Sequence, residues 1–198
     1  MTTTLRRTAT TLAAAVLVTG TVTAGGAAAA SGSSGESQPN ANPPQVHLKL
    51  TPSSAKLAGC MPHARVSVDV SLTTDRVGFD SFHVDASGLP RNTAFTVFLL
   101  QKAGAPFGAA EYIGDITSDR KGQAENRFRL IVQEAFSSTL VNGNRVRVDL
   151  NQVGMWFADP KADDFCLGPN SPVTPFDGDN EAGVQAFNSA NTEPLPAP

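Results

Sequence analysis

The stretch from Phe82 to Gln101 (FHVDASGLPRNTAFTVFLLQ) leaves the chain few folds to choose from. Phe82, Val84 and Ala86 alternate with His83 and Asp85, the period of a strand with one covered face. Ser87 to Thr93 then brings in Gly88, Pro90 and Asn92, residues that turns use for backbone angles other positions avoid. Ala94 to Leu100 follows as a nearly unbroken apolar run, rich in Phe and Val. It is too short for a typical helix and shows no alternation, so it predicts a strand buried on both faces. A one-sided strand, a turn and a doubly buried strand together predict an all-β domain.

The flanking sequence supports that reading. Val46 to Leu50 alternates and begins the domain. Arg65 to Leu72 alternates more cleanly, with Val66, Val68, Val70 and Leu72 inward and Arg65, Ser67, Asp69 and Ser71 outward. Tyr112 to Thr117, the turn Asp119 to Gly122 and a return strand over Gln123 to Val132 predict a hairpin. On that return strand Phe128, Leu130 and Val132 share one face, and Arg127 and Arg129 the other. Asn142-Gly143 is a second turn signal, followed by Val146, Val148 and Leu150 opposite Arg145, Arg147 and Asp149. Val153, Met155 and Phe157 extend this strand beyond a kink at Gly154. Asp159-Pro160 predicts a helix cap, with one helical turn near 160–165 that ends at Cys166-Leu-Gly168. Gly183 to Asn188 is the last strand. About seven or eight short strands at this spacing predict a single β-sandwich, immunoglobulin-like or related.

Before this domain the composition changes twice. Arg6 and Arg7, the apolar run Leu12 to Val18 and small residues through Ala30 form the pattern of a secretory signal peptide over 1–30. Residues 31–44, mostly Ser, Gly, Pro and Asn, predict a disordered linker. The domain then occupies 45–189, and 190–198 form a flexible tail. No later apolar run is long enough for a membrane helix. The chain has fifteen basic and eighteen acidic residues; loss of the leader removes Arg6 and Arg7, leaving thirteen against eighteen, net −5. An acidic balance argues against general nucleic-acid binding, which needs a basic footprint. The expected location is therefore extracellular or cell-wall associated, with no prediction of oligomeric state. Cys60 and Cys166 are the only two cysteines. In an oxidising compartment an even count favours a disulfide, with two separately buried thiols as the alternative.

The segments GLPRNTAFTVFLLQ, APFGAAEYIGDITSDRKGQA and GMWFADPKADDFC…VTPFDGDNEAGVQAFN resemble a group of uncharacterised secreted proteins of actinobacteria. The likeness covers roughly Val66 to Asn188, and the closing Trp-Phe…Cys…Thr-Pro-Phe-x-Gly pattern is its most specific part. It implies export and a shared domain, and it assigns no catalytic residue. The turn Gly88 to Thr93 is also similar to turns in immunoglobulin-like and fibronectin-type sandwiches.

Chemistry-bearing motifs are few. There is no Gly-x-Ser-x-Gly elbow, no His-Glu-x-x-His and no Cys-x-x-Cys. His47, His63 and His83 read as scattered surface or half-buried histidines rather than a metal set. Asp177, Asp179 and Glu181 alternate in a glycine-containing loop, where solvated turn residues are the favoured reading and a calcium site the alternative; no other cofactor is expected. With one Trp and one Tyr in the chain, Trp156 reads as a core anchor rather than a sugar platform. The arginines make the more physical case. If their strands pair, Arg127, Arg129, Arg145 and Arg147 crowd one face, where like charges destabilise a sheet unless answered. Glu125, Asp149 and Asp69 could answer them as a surface lattice. Otherwise the four guanidinium groups would hold an anionic extracellular ligand, such as a phosphate- or carboxylate-bearing wall polymer. The expected function is a secreted, non-enzymatic binding or structural module at or near the bacterial cell surface. The alternative is a secreted hydrolase of wall or other extracellular polymer, using paired carboxylates.

Overall fold

Backbone amides and carbonyls that leave water must find partners, and here most of them do so in antiparallel ladders. The computed structural model describes residues 45–73, 75–132, 136–175, 181–190 and 195. Its strands are β1 (Gln45–Pro52), β2 (Arg65–Ser71), β3 (Asp80–Ser87), β4 (Ala94–Leu100), β5 (Ala110–Thr117) and β6 (Ala124–Leu130). They continue as β7 (Phe136–Val141), β8 (Asn144–Asp149), β9 (Gln152–Phe157), β10 (Thr174–Pro175), β11 (Glu181–Ala182) and β12 (Gln185–Asn188). Two short helices, α1 (Ala55–Cys60) and α2 (Asp164–Leu167), complete the set, the second preceded by a 3-10 turn over Pro160–Asp163.

The fold is all-β and sandwich-like. Eight strands form one antiparallel sheet in the order β5-β4-β9-β12-β1-β2-β3-β6. The sheet folds at β1, whose Gln45 to Leu50 pair with β2 while Thr51 and Pro52 pair with β12. One layer is thus β1-β2-β3-β6 and the other β5-β4-β9-β12. Between them lie Val66, Val68, Val70, Phe82 and Val84 from the first layer and Phe95, Val97, Leu99, Met155 and Phe157 from the second. Cross-strand aromatic pairs reinforce the ladders: Phe95 and Phe157 at 5.0 Å, Phe82 and Phe128 at 6.4 Å.

β4 is buried on both faces, as its apolar run predicts. Phe95, Val97 and Leu99 face the main core. Phe98 and Leu100 join Trp156 and Ala182 in a second cluster on the far side, where Phe107 packs against them. Trp156 is a buried anchor there, with Phe98 edge-on at 5.4 Å and Phe107 at 4.9 Å. Gly154 belongs to this packing. A methyl group on it would come within 2.5 Å of the Trp156 ring, 2.7 Å of Leu100 and 2.8 Å of Gln185.

Several sequence expectations change once pairing is known. The turn at Asp119 to Gly122 forms, but the strands beside it are not a hairpin ladder: β5 pairs with β4 and β6 with β3, at opposite ends of the sheet order. Their approach nearly closes the sheet, and the Asn126 side-chain amide donates to the Asp115 carbonyl at 3.0 Å. The turn instead interlocks with the β3–β4 turn. Leu89 N donates to the Gly122 carbonyl and Asn92 N to the Asp119 carbonyl. Gly122, at φ +77°, is required there, since a Cβ would sit 2.3 Å from the Leu89 carbonyl oxygen.

The strand expected to run from Arg145 past a kink at Gly154 is two strands in two sheets. The break falls at Leu150-Asn151, and Gly154 lies inside β9. β8 pairs only with β7, in a separate two-stranded sheet. Its alternation therefore meets no core: Val146 is exposed, Val148 half-buried, and only Leu150 beyond it is buried.

The helical turn near 160–165 is present, with Asp159 Oδ1 accepting from Lys161 N at 2.9 Å. α1 was not foreseen; its signal is Ser54, whose hydroxyl accepts from Leu57 N at 3.2 Å. Within the stretch expected to be a loose tail, Leu195 is buried and its amide donates to Asn151 O at 2.7 Å. The expected leader and linker lie outside the described residues.

Cys60 and Cys166 form a disulfide with Cα atoms 5.7 Å apart, joining α1 to α2 across 106 residues of chain. A loop of that length corresponds to about 4–5 kcal/mol in the chain-entropy picture. Buried Asp163 supports the same region, accepting from Ser171 Oγ at 2.5 Å and Val184 N at 2.9 Å.

Two outcomes follow. Gly154→Ala should destabilise the domain by about 1–3 kcal/mol through overpacking; thermal denaturation reads this, and an unchanged midpoint would mean the contact has slack. Non-reducing peptide mapping should recover a linked Cys60–Cys166 peptide, and reduction should lower the melting temperature. Two freely alkylated thiols would contradict the bridge.

Candidate functional site

The outward face of the first layer collects the chain's charged and imidazole side chains into rows. Strand alternation sends one face of β1, β2, β3 and β6 to the core and the other to solvent, and the register then decides which outward residues meet. One row reads His47, Asp69, His83, Arg127, and the next Lys49, Ser67, Asp85, Glu125. A third row ends in Arg129, opposite Ser81.

Within the rows the side chains are linked. His47 Nδ1 lies 2.6 Å from Asp69 Oδ1, and His83 Nε2 lies 2.8 Å from Glu125 Oε1. His83 is the most enclosed of the four, its side chain 21% exposed against 68% for Glu125. Asp69 is directly opposite both imidazoles, one on each neighbouring strand. The sequence reading of scattered histidines holds for His63, in the segment after α1. His47 is exposed and His83 half-buried, and pairing adds what the sequence did not show, that the two stand in one row.

Arg129 is locked in place. Its guanidinium pairs with Asp75, with Nε 3.0 Å from Oδ2, and lies 5.1 Å above the Phe79 ring. The Asp75 carboxylate also accepts from Val77 N at 2.9 Å and Phe79 N at 3.1 Å, closing the loop before β3. The Phe79 amide first, then the Arg129 guanidinium, hold this carboxyl below the usual carboxylate range. Asp75 escaped the sequence reading, although Asp-Arg-Val-Gly is a recognisable turn pattern.

The four arginines do not share a sheet face. Arg127 and Arg129 lie on β6 beside β3, whereas Arg145 and Arg147 lie on β8, paired only with β7. Arg147 is held by Asp149, Nε to Oδ1 at 3.0 Å, as the surface-lattice reading expects. The premise that β6 and β8 are neighbours fails because β6 joins β3 in the first layer and β8 joins β7 in a separate sheet. The two arginine pairs therefore never face each other across one ladder.

Beside the rows, Asp85, Ser87, Thr117, Asp119, Gln123 and Glu125 line an open cleft of about 370 Å³. Asp85 and Glu125 are directly opposed, which places their Cβ atoms about 4.5–5.5 Å apart. Asp119 is committed to its own turn, accepting from Lys121 N at 2.7 Å and Gln123 N at 2.9 Å. Those amides, Gln123 foremost, hold its carboxyl below the usual range.

Of the expected calcium ligands, Asp177 and Asp179 lie outside the described residues, and Glu181 is exposed at the start of β11, opposite Pro175. Among the described residues no group of three or more His, Cys, Asp or Glu side chains is placed to hold a metal ion, and no helix is long and apolar enough to cross a membrane. Tyr112 is exposed, its hydroxyl donating to Asp115 Oδ2 at 3.0 Å. No known protein-family model matches this chain, and no curated protein matches it in sequence.

The Asp75 clamp has a pH signature. A carboxyl depressed in the folded state contributes stability above its unfolded value, and that contribution disappears as pH falls through the folded value. Amide protection at Val77 and Phe79 should therefore hold above about pH 4 and fall progressively in stronger acid. Asp75→Ala should abolish it at all pH. Protection that persists in the variant, read by hydrogen exchange, would show that the loop needs no clamp.

Proposed function

We propose that the chain is an exported, non-enzymatic binding module acting at or near the bacterial cell surface, with an anionic extracellular polymer as its ligand. The observation that carries this reading is the outward face of β1-β2-β3-β6, where Lys49, Arg127 and the two imidazoles stand in strand-wise rows. Neighbouring strands lie about 4.8 Å apart, so four of them offer a platform about 15 Å across, suited to an extended chain rather than a small molecule. Arg127, at the edge strand and opposite His83, is exposed and supplies the planar fork that carboxylate and phosphate groups take up in pairs. The disulfide and the leader-like first thirty residues support export. So does the resemblance to secreted actinobacterial proteins.

A second reading has its own observation. Asp85 and Glu125 oppose each other in the 370 Å³ cleft, and a pair of carboxyl groups flanking the scissile bond is the machinery of most glycosidases. On that reading the domain cleaves a wall polysaccharide.

One experiment separates the two. The full chain is passed over an anionic wall fraction at low and high salt while soluble fragments are assayed. The module reading expects retention that weakens with salt, no fragments, and reduced retention in a folded Lys49→Gln/Arg127→Gln variant. Exposed substitutions of this kind change stability by about 0.5 kcal/mol or less. Fragment release that vanishes in Glu125→Gln would establish the hydrolase. Full retention by the double variant would remove the face from the binding reading.

A further inference from the structure

The outward face carries its charges in balance. Lys49, Arg65, Arg127 and Arg129 stand against Asp69, Asp85 and Glu125, with Asp75 closing on Arg129. Four bases meet four acids, so the face has no net charge while its two histidines are neutral. The imidazoles are the groups that can tip it. Histidine is the side chain whose ordinary charge change falls between about pH 5 and 8, and protonation of His47 and His83 would give the face two positive charges in excess.

We propose that this face is a pH-gated surface for an anionic polymer: it takes the polymer up when His47 and His83 are protonated and releases it near neutrality. The inference rests on the binding reading above and adds its regulation.

The surroundings of each imidazole support gating. His47 faces Asp69 from β2 at 2.6 Å, and Lys49 lies two residues along its own strand. His83 faces Asp69 from β2, Glu125 and Arg127 from β6, and Asp85 on its own strand. Three carboxylates therefore stand around His83 and one of them also serves His47. Once both rings are protonated, Asp69 and Glu125 are engaged by imidazolium. Of the remaining outward charges, Lys49, Arg65 and Arg127 then outnumber Asp85. While the rings are neutral they are only hydrogen-bonded to their carboxylates, and an incoming polyanion meets acids and bases in equal number. His63, in the segment after α1, lies outside these rows and makes an internal control.

The test measures binding of the full chain to two immobilised polymers that keep their charge in mild acid, polyphosphate and polygalacturonate. Binding is compared at about pH 5.5 and about pH 8, which bracket histidine titration, in about 20 mM salt, where screening is weak. Two added charges should tighten binding about tenfold or more in acid. Tightening on either polymer supports the proposal, and the polymer held more firmly identifies the acidic group. A folded His47→Gln/His83→Gln variant should bind equally at both pH values, while His63→Gln should behave as the parent. Should the double variant misfold, imidazole resonances of the parent give the same answer. By linkage, added polymer must raise the pH at which His47 and His83 titrate. Equal parental affinity at both pH values overturns gating and leaves the module reading intact. So does pH dependence that survives in the folded double variant. Absence of binding at either pH overturns both.

Discussion

Everything in the second layer follows from the double burial of β4. A strand covered on both faces must place its amides and carbonyls in ladders, and β4 does so with β5 on one side and β9 on the other. Its outer face then needs a cover. The segment after it turns back on itself, with Gln101 N donating to Ala109 O and Lys102 N to Phe107 O, and lays Phe107 against Trp156. Gln185 ties that cover down through its side-chain amide to Ala103 O at 2.9 Å. Gly154 is bare because Trp156 and Leu100 occupy the space of a side chain.

The first layer obeys the opposite condition. Its valines and Phe82 close the core from one side only, so its other face can be polar without energetic penalty. That freedom explains why histidines, carboxylates and arginines gather there and nowhere on β4. The partnerships on this face are solvent-exposed and individually weak. Their importance lies in arrangement, since four strands hold charged side chains at fixed spacing across one face.

Two attachments lie outside the ladders. The disulfide draws α1 and α2 together at the end where β1 changes layers and the chain enters β2. Asp163 adds a buried anchor from the helical turn to the approach of β12. The β7–β8 pair is different: its ladder is a separate two-stranded sheet, and Val146 and Leu140 remain in solvent.

The residues alone determined several of the strands and, where a layer covers them, which of their side chains face inward. Alternation over Arg65 to Ser71, the apolar run Ala94 to Leu100 and the Asp159-Pro160 cap are local patterns, and local backbone geometry answers them directly. The pairing of Cys60 with Cys166 was legible because only two cysteines exist. Tertiary structure decided everything that depends on who stands beside whom. It sent β6 to β3 instead of β5, split β8 from β9, and separated Arg127 and Arg129 from Arg145 and Arg147. The same register brought His47, Asp69 and His83 into one row. Alternation says only that a side chain points outward. Neighbours across a sheet are chosen by the packing of two layers around a shared core, and that energy belongs to no single segment.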